Sequence, residues 1–211
     1  MKLYSTVAGP GEGEQIIERS RFITHVMPCG GREAAETFFE EIRKKYRDAT
    51  HNVPAMVIGD AMQVQWGSDD GEPQGTSGAP IVQLLVSLGV TDTAVMVTRY
   101  FGGIKLGTGG LVRAYTSSAK IGLEAAGICD VEQRDVLVCK IDYKAFHRVQ
   151  NHDFGENVTL SDFEYLDRVG FHLTCDPSAT ESCIDVLTGI AGGGNVVEHV
   201  EGALVKVPRS W

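Results

Sequence analysis

The stretch Arg168-Val169-Gly170-Phe171-His172-Leu173-Thr174-Cys175 sets Val169, Phe171, Leu173 and Cys175 against Arg168, Gly170, His172 and Thr174, apolar and polar positions alternating without a break. A period of two is that of a strand with one buried and one wet face. Downstream, Asp176 before Pro177 reads as a helix N-cap, and Cys183, Val186, Leu187 and Ile190 form the helix stripe that follows. Gly192-Gly193-Gly194 stops that helix, and residues 195–207 form a final strand or hairpin. Upstream lie a strand over 158–163, a short helix over 144–152 with Phe146 and Val149 inward, and a strand over 136–141. The resulting order β-α-β-β-α-β is the split pattern of a ferredoxin-like domain.

The pattern restarts near residue 133, which divides the chain into domains of 1–133 and 134–211. In the first, residues 15–26 read as one early strand. Ala35, Phe38, Phe39, Ile42 and Tyr46 then repeat at i, i+3, i+4, i+7 and i+11, an amphipathic helix. Val53–Ile58 and Met62–Trp66 form a hairpin around Gly59-Asp60, in which Met62, Val64 and Trp66 alternate with two glutamines. Pro80 stands at the first position of a helix whose apolar stripe is Ile81, Leu84, Leu85 and Leu88. A Val-rich strand over 94–100 leads through a glycine-rich stretch into a helix carrying Val112, Tyr115, Ala119, Leu123 and Ala126.

Composition narrows the function. The net charge of -9 argues against non-specific coating of a duplex, whose affinity comes mostly from neutralising phosphates, but leaves room for a local basic groove. No apolar run approaches the ~20 residues of a membrane span, and the start has no apolar signal core. Five cysteines, odd in number and never spaced CxxC, suit reduced thiols and a cytoplasmic location better than disulfides or a zinc site.

Three segments exceed what a fold needs. They are Asp48-Ala49-Thr50-His51-Asn52, the loop from Ser68 to Pro80 (SDDGEPQGTSGAP), and the run from Arg99 to Tyr115 (RYFGGIKLGTGGLVRAY). In this order and spacing they resemble the YigZ/IMPACT family, whose signature is DAxH, SDDGEPxGT(A/S)GxP and RYFGGxxLGxGGLxRAY. The resemblance is strong over residues 20–125. It implies an α+β protein: an N-terminal domain like the second domain of ribosomal protein S-five, shared with domain IV of elongation factor G. The ferredoxin-like domain that follows would resemble domain V of that factor. It also implies a link to translational control, with which eukaryotic relatives are associated through the general-control kinase pathway.

Read physically, the third segment is a seat for an anion. Gly107, Gly109 and Gly110 let backbone N–H groups approach a ligand, and Thr108 is placed to cap a helix whose N-terminus carries partial positive charge. Arg99, Lys105 and Arg113 supply cations around it. The bland reading, in which the same glycines serve tight turns and close packing, stands beside it. Asp69, Asp70 and Glu72 offer oxygen ligands or a general base, but equally a polar turn; His51 can join them or be an ordinary hydrogen-bonded residue. The spacing matches no metal motif, no nucleophile sits in a recognisable context, and no cofactor is expected.

Two functions fit. One is a non-enzymatic translation-associated protein contacting RNA, the ribosome or a translation-linked protein through the glycine-rich face. The other is an enzyme or sensor for a small phosphorylated ligand or nucleotide at the same loops. A pure protein–protein adaptor is the third possibility.

Overall fold

The structure, a computed structural model, describes residues 2–209. Two compact units divide the chain: Leu3–Val131 together with the segment from Lys206 onward, and Glu132–Val205 with Lys2.

The chain begins with β1 (Lys2–Val7), which no periodicity in the sequence announces. Residues 15–26, read above as one strand, are instead a hairpin of β2 (Gly11–Ile17) and β3 (Ser20–Pro28). Its turn is made by Glu18 and Arg19 at φ 45° and 65°. Left-handed values suit the two-residue turn that twists with its strands. Because neither residue is Gly or Asn, the sequence gives no marker for it. There follow α1 (Arg32–Lys45), β4 (His51–Ile58), β5 (Val64–Gly67), α2 (Gly78–Leu88), β6 (Thr93–Tyr100) and α3 (Gly107–Ala126).

These strands form an antiparallel sheet in the order β2-β3-β6-β4-β5. Alternation along each strand divides its side chains between two cores. Phe22, Val53, Val57, Val95 and Val97 pack under α2 and α3, while Met56, Ile58, Ala94 and Met96 meet Phe38, Phe39 and Ile42 of α1. Helices cover both faces of β4 and β6, which is why these central strands read as apolar runs rather than alternating ones.

The second unit takes residues 132–141 of β7 (Ile128–Ile141), then α4 (Tyr143–Gln150), β8 (Thr159–Tyr165), β9 (Val169–Cys175), a 3-10 turn at Pro177–Ala179, α5 (Thr180–Ala191) and residues 197–205 of β10 (Val197–Pro208). Spatial order β10-β7-β9-β8 is the ferredoxin-like one. Leu137, Cys139, Ile141, Phe171 and Leu173 meet Phe146, Val149 and Leu187 from α4 and α5 in a single core. Asp176 makes no cap; its carboxylate pairs with Arg134 at 3.0 Å. The helix cap of this unit is Asp142, which accepts from the Ala145 amide at 2.8 Å. Asp142→Ala is therefore expected to destabilise this unit by about 1 kcal/mol, read as a lower denaturation midpoint with an unchanged slope.

All five cysteines are free and buried. Among the described residues no helix is long and apolar enough to cross a membrane.

Candidate functional site

The site grows from one end of β6. Register places His51 of β4 opposite Arg99 of β6, and Arg99 opposite Phe22 of β3, so the three stand side by side on the face covered by α2 and α3. An arginine there must be paired, since burying an unpaired charge is very costly. Arg99 is only 4% exposed, and its Nη1 donates to Glu72 Oε1 at 2.6 Å while Nη2 reaches Ser20 Oγ at 3.3 Å. Its guanidinium also lies 5.4 Å from the ring centres of Phe22 and Phe101. The Nε of Arg99 is buried and has no partner.

Glu72 reaches Arg99 because the loop of residues 68–77 is closed by its own first aspartate. Asp69 accepts from the amides of Gly75, Ser77 and Gly78 at 2.7, 3.1 and 3.0 Å and from Ser77 Oγ at 2.8 Å. Burial alone would raise its pKa, but these hydrogen bonds outweigh it and leave the carboxyl below its ordinary value. Asp70, at φ 46°, turns its carboxylate to the Asn52 amide at 2.5 Å and its carbonyl to His51 Nδ1 at 2.7 Å. Asp69 and Asp70 are thus spent on the loop's architecture, the polar-turn reading. Glu72 is not: buried, it accepts at Oε1 from Arg99 and, at 2.7 Å, from Tyr115 Oη of α3. Burial, reinforced by the charge of Glu72, pushes the Tyr115 pKa far up, so the phenol remains a donor.

α3 begins inside the glycine run. Leu106 is its N-cap residue, and no side chain caps it, so the cap expected from Thr108 is corrected: Thr108 is already in the first turn, and its hydroxyl does not bond back to the helix end. Nothing among the described residues accepts from the amides of Gly107, Thr108 and Gly109. The N-terminus of a 20-residue helix is thereby left with unspent donors and partial positive charge.

These parts surround a cavity of about 440 Å³, lined by Thr50 and His51, Glu72 and Pro73, Arg99 and Phe101, and Lys105 through Thr108 with Leu111. The acidic loop and the glycine-rich loop therefore share one site. Arg113, expected beside them, lines a neighbouring groove of about 490 Å³ with Glu18, Gly110 and Ser117; Lys105 borders both. Gly109 lines neither, and a Cβ there would meet only Arg113 Nη1, at 3.7 Å. The three-cation surface expected from the sequence is also corrected by burial: Arg99 is neutralised inside, whereas Lys105 and Arg113 are exposed and have no ion-pair or hydrogen-bond partner among the described residues.

Sequence reasoning missed Tyr115, Ser20 and Phe101. Tyr115 lies on the stripe expected of a core helix, and only its hydroxyl, needing a buried partner, could have marked it.

Residues 18–123, which include every side chain named at this cavity, match the Impact N-terminal domain family model. "IMPACT family member YvyE" of Bacillus subtilis (strain 168) is 35% identical over 198 residues, covering 94% of this chain and 91% of that protein. "IMPACT family member YigZ" of Escherichia coli (strain K12) is 44% identical over 118 residues, 54% of this chain and 57% of that one. A solved structure described as that of a hypothetical protein aligns over 100% of this chain and 98% of its own, with a TM-score of 0.59 and 28% identity.

Proposed function

The chain belongs to the IMPACT family, and from that premise we propose that its first unit is a receptor for a small phosphorylated ligand, through which the protein acts in translational control in the cytoplasm. One observation carries the reading: Gly107 and Thr108, whose amides are unspent, line the same cavity as Arg99, whose buried Nε has no partner. A phosphoryl group at the amides gains preorganised donors and the helix dipole, and Lys105 at the rim adds a mobile charge. Leu106, Leu111, Pro73 and Phe101 give the remainder of the ligand an apolar wall.

Inorganic phosphate and a panel of nucleotides test this by thermal shift. A ligand at ~100 times its dissociation constant adds roughly 2.7 kcal/mol to the stability of the unit that holds it. Lys105→Ala is expected to weaken binding about tenfold, the scale of one charge-assisted hydrogen bond. A panel without any shift sinks the proposal.

RNA or ribosome contact is the second reading, favoured by the exposure of Lys105 and Arg113 without partners. It predicts that the double alanine variant at these two positions lowers RNA or ribosome co-sedimentation and flattens its salt dependence. Unchanged sedimentation would remove it.

A further inference from the structure

We propose that the cavity is catalytic as well as receptive: His51 is a general base that drives hydrolysis of a phosphate ester seated on α3. The inference rests on the phosphate-ligand reading and adds a reaction to it.

The first ground is the tautomer. His51 Nδ1 lies 2.7 Å from the Asp70 carbonyl oxygen. A carbonyl can only accept, so Nδ1 carries the proton and Nε2 of the neutral ring holds a lone pair. Asp70 grips this part of the chain twice, since its carboxylate takes the amide of the next residue, Asn52, at 2.5 Å. A base must be oriented by a third group before it can act on a bound substrate, and here one residue does so from a left-handed conformation, φ 46°.

The second ground is placement. His51 lines the cavity together with Gly107 and Thr108. Its side chain is 18% exposed where that of Glu72 is 4%, so it is the imidazole that a bound ligand and its water can reach. Glu72 Oε1 stands 3.7 Å from Nε2, but it is an acceptor already taken by Arg99 and Tyr115, so the Nε2 lone pair stays open to a proton from water.

The step balances without oxidant or reductant. The oxygen of a water molecule attacks phosphorus, its proton passes to His51 Nε2, and the bond from phosphorus to the ester oxygen breaks. That oxygen leaves with the bonding pair, and the imidazolium gives up its proton to it, or to solvent where the leaving group stays an anion, which restores the neutral ring. The α3 amides and Lys105 meet the charge that gathers on the phosphoryl oxygens.

p-Nitrophenyl phosphate is a suitable probe because its ring matches the apolar wall and its phosphate the helix end. The full chain is assayed with chelator present, and binding is followed separately by thermal shift with the probe and with inorganic phosphate. The expected result is turnover by the wild type, with a loss of about 100-fold or more in kcat for His51→Gln and KM kept within about threefold. Added imidazole should restore part of the activity of His51→Ala, which neither a misfolded chain nor a merely structural histidine would allow. A wild type that binds the probe but leaves it intact overturns the proposal while the receptor reading stands. So does a His51→Gln variant whose kcat falls less than about tenfold. Absence of any shift with either phosphate compound removes the receptor reading and the reaction with it.

Discussion

Glu72→Ala is expected to destabilise the first unit by about 3–5 kcal/mol, the cost of leaving a buried charge without its partner. Three groups lose by it. Arg99, which approaches Glu72 Oε1 at 2.6 Å and has a side chain only 5% exposed, would keep its charge with one long hydrogen bond to Ser20 and the rings of Phe22 and Phe101 beside it. Tyr115 Oη would be an orphaned donor in the core, a further penalty of about 1–3 kcal/mol wherever water cannot enter. The loop of residues 68–77 would lose the anchor joining it to β6 and α3. Glu72→Gln should cost less, because an amide oxygen still accepts from both partners. Removing both charges, as in Glu72→Leu with Arg99→Met, should recover much of the loss, since apolar replacement of a buried pair is often neutral. Urea denaturation followed by the fluorescence of Trp66, which packs beside Phe39 of α1, reads these differences in the first unit. If Glu72→Ala matched the wild type, the carboxylate would not be carrying the charge of Arg99.

Legibility in the sequence followed the range of the interaction. β9 is found at its own limits because its alternation is a local signal. Asp69 could be read as a turn-former because every amide it binds lies within nine residues. The fate of Arg99 could not be read that way. Its partner Glu72 lies 27 residues before it, and Tyr115 lies 43 residues after Glu72, so only the sheet register and the path of α3 bring the three together. An arginine at the end of a Val-rich strand looks the same in sequence whether it faces solvent or a carboxylate. The start of α3 failed for a different reason. Glycine has poor helix propensity, yet Gly107, Gly109 and Gly110 all lie in its first turn, where tertiary packing of Leu111, Ala114 and Tyr115 decides the matter.

The same distinction between local and distant causes predicts opposite outcomes for two neighbouring glycines. Gly102→Ala should be strongly destabilising. A Cβ there would stand 2.0 Å from the Arg19 carbonyl carbon, 2.1 Å from its oxygen and 2.5 Å from the Ser20 nitrogen. These are backbone atoms of the left-handed turn between β2 and β3, and they cannot rotate away. The turn must move, and Ser20 with it, although its hydroxyl receives both the Gly102 amide at 3.2 Å and Arg99 Nη2 at 3.3 Å. Overpacking of this kind costs about 1–3 kcal/mol, and the displaced Arg99 should carry phosphate affinity down with stability. Gly109→Ala meets open space apart from a flexible arginine end, and its φ is not positive. Inside a helix, alanine in place of glycine contributes roughly 0.5–1 kcal/mol, so that variant should be more stable than the wild type. Its phosphate affinity should be unchanged, because its amide is retained. Denaturation midpoints of the two variants, moving to opposite sides of the wild type, check the argument. Equal midpoints would mean that Gly102 is conserving no close approach and that the contact between β6 and the β2–β3 turn yields without cost.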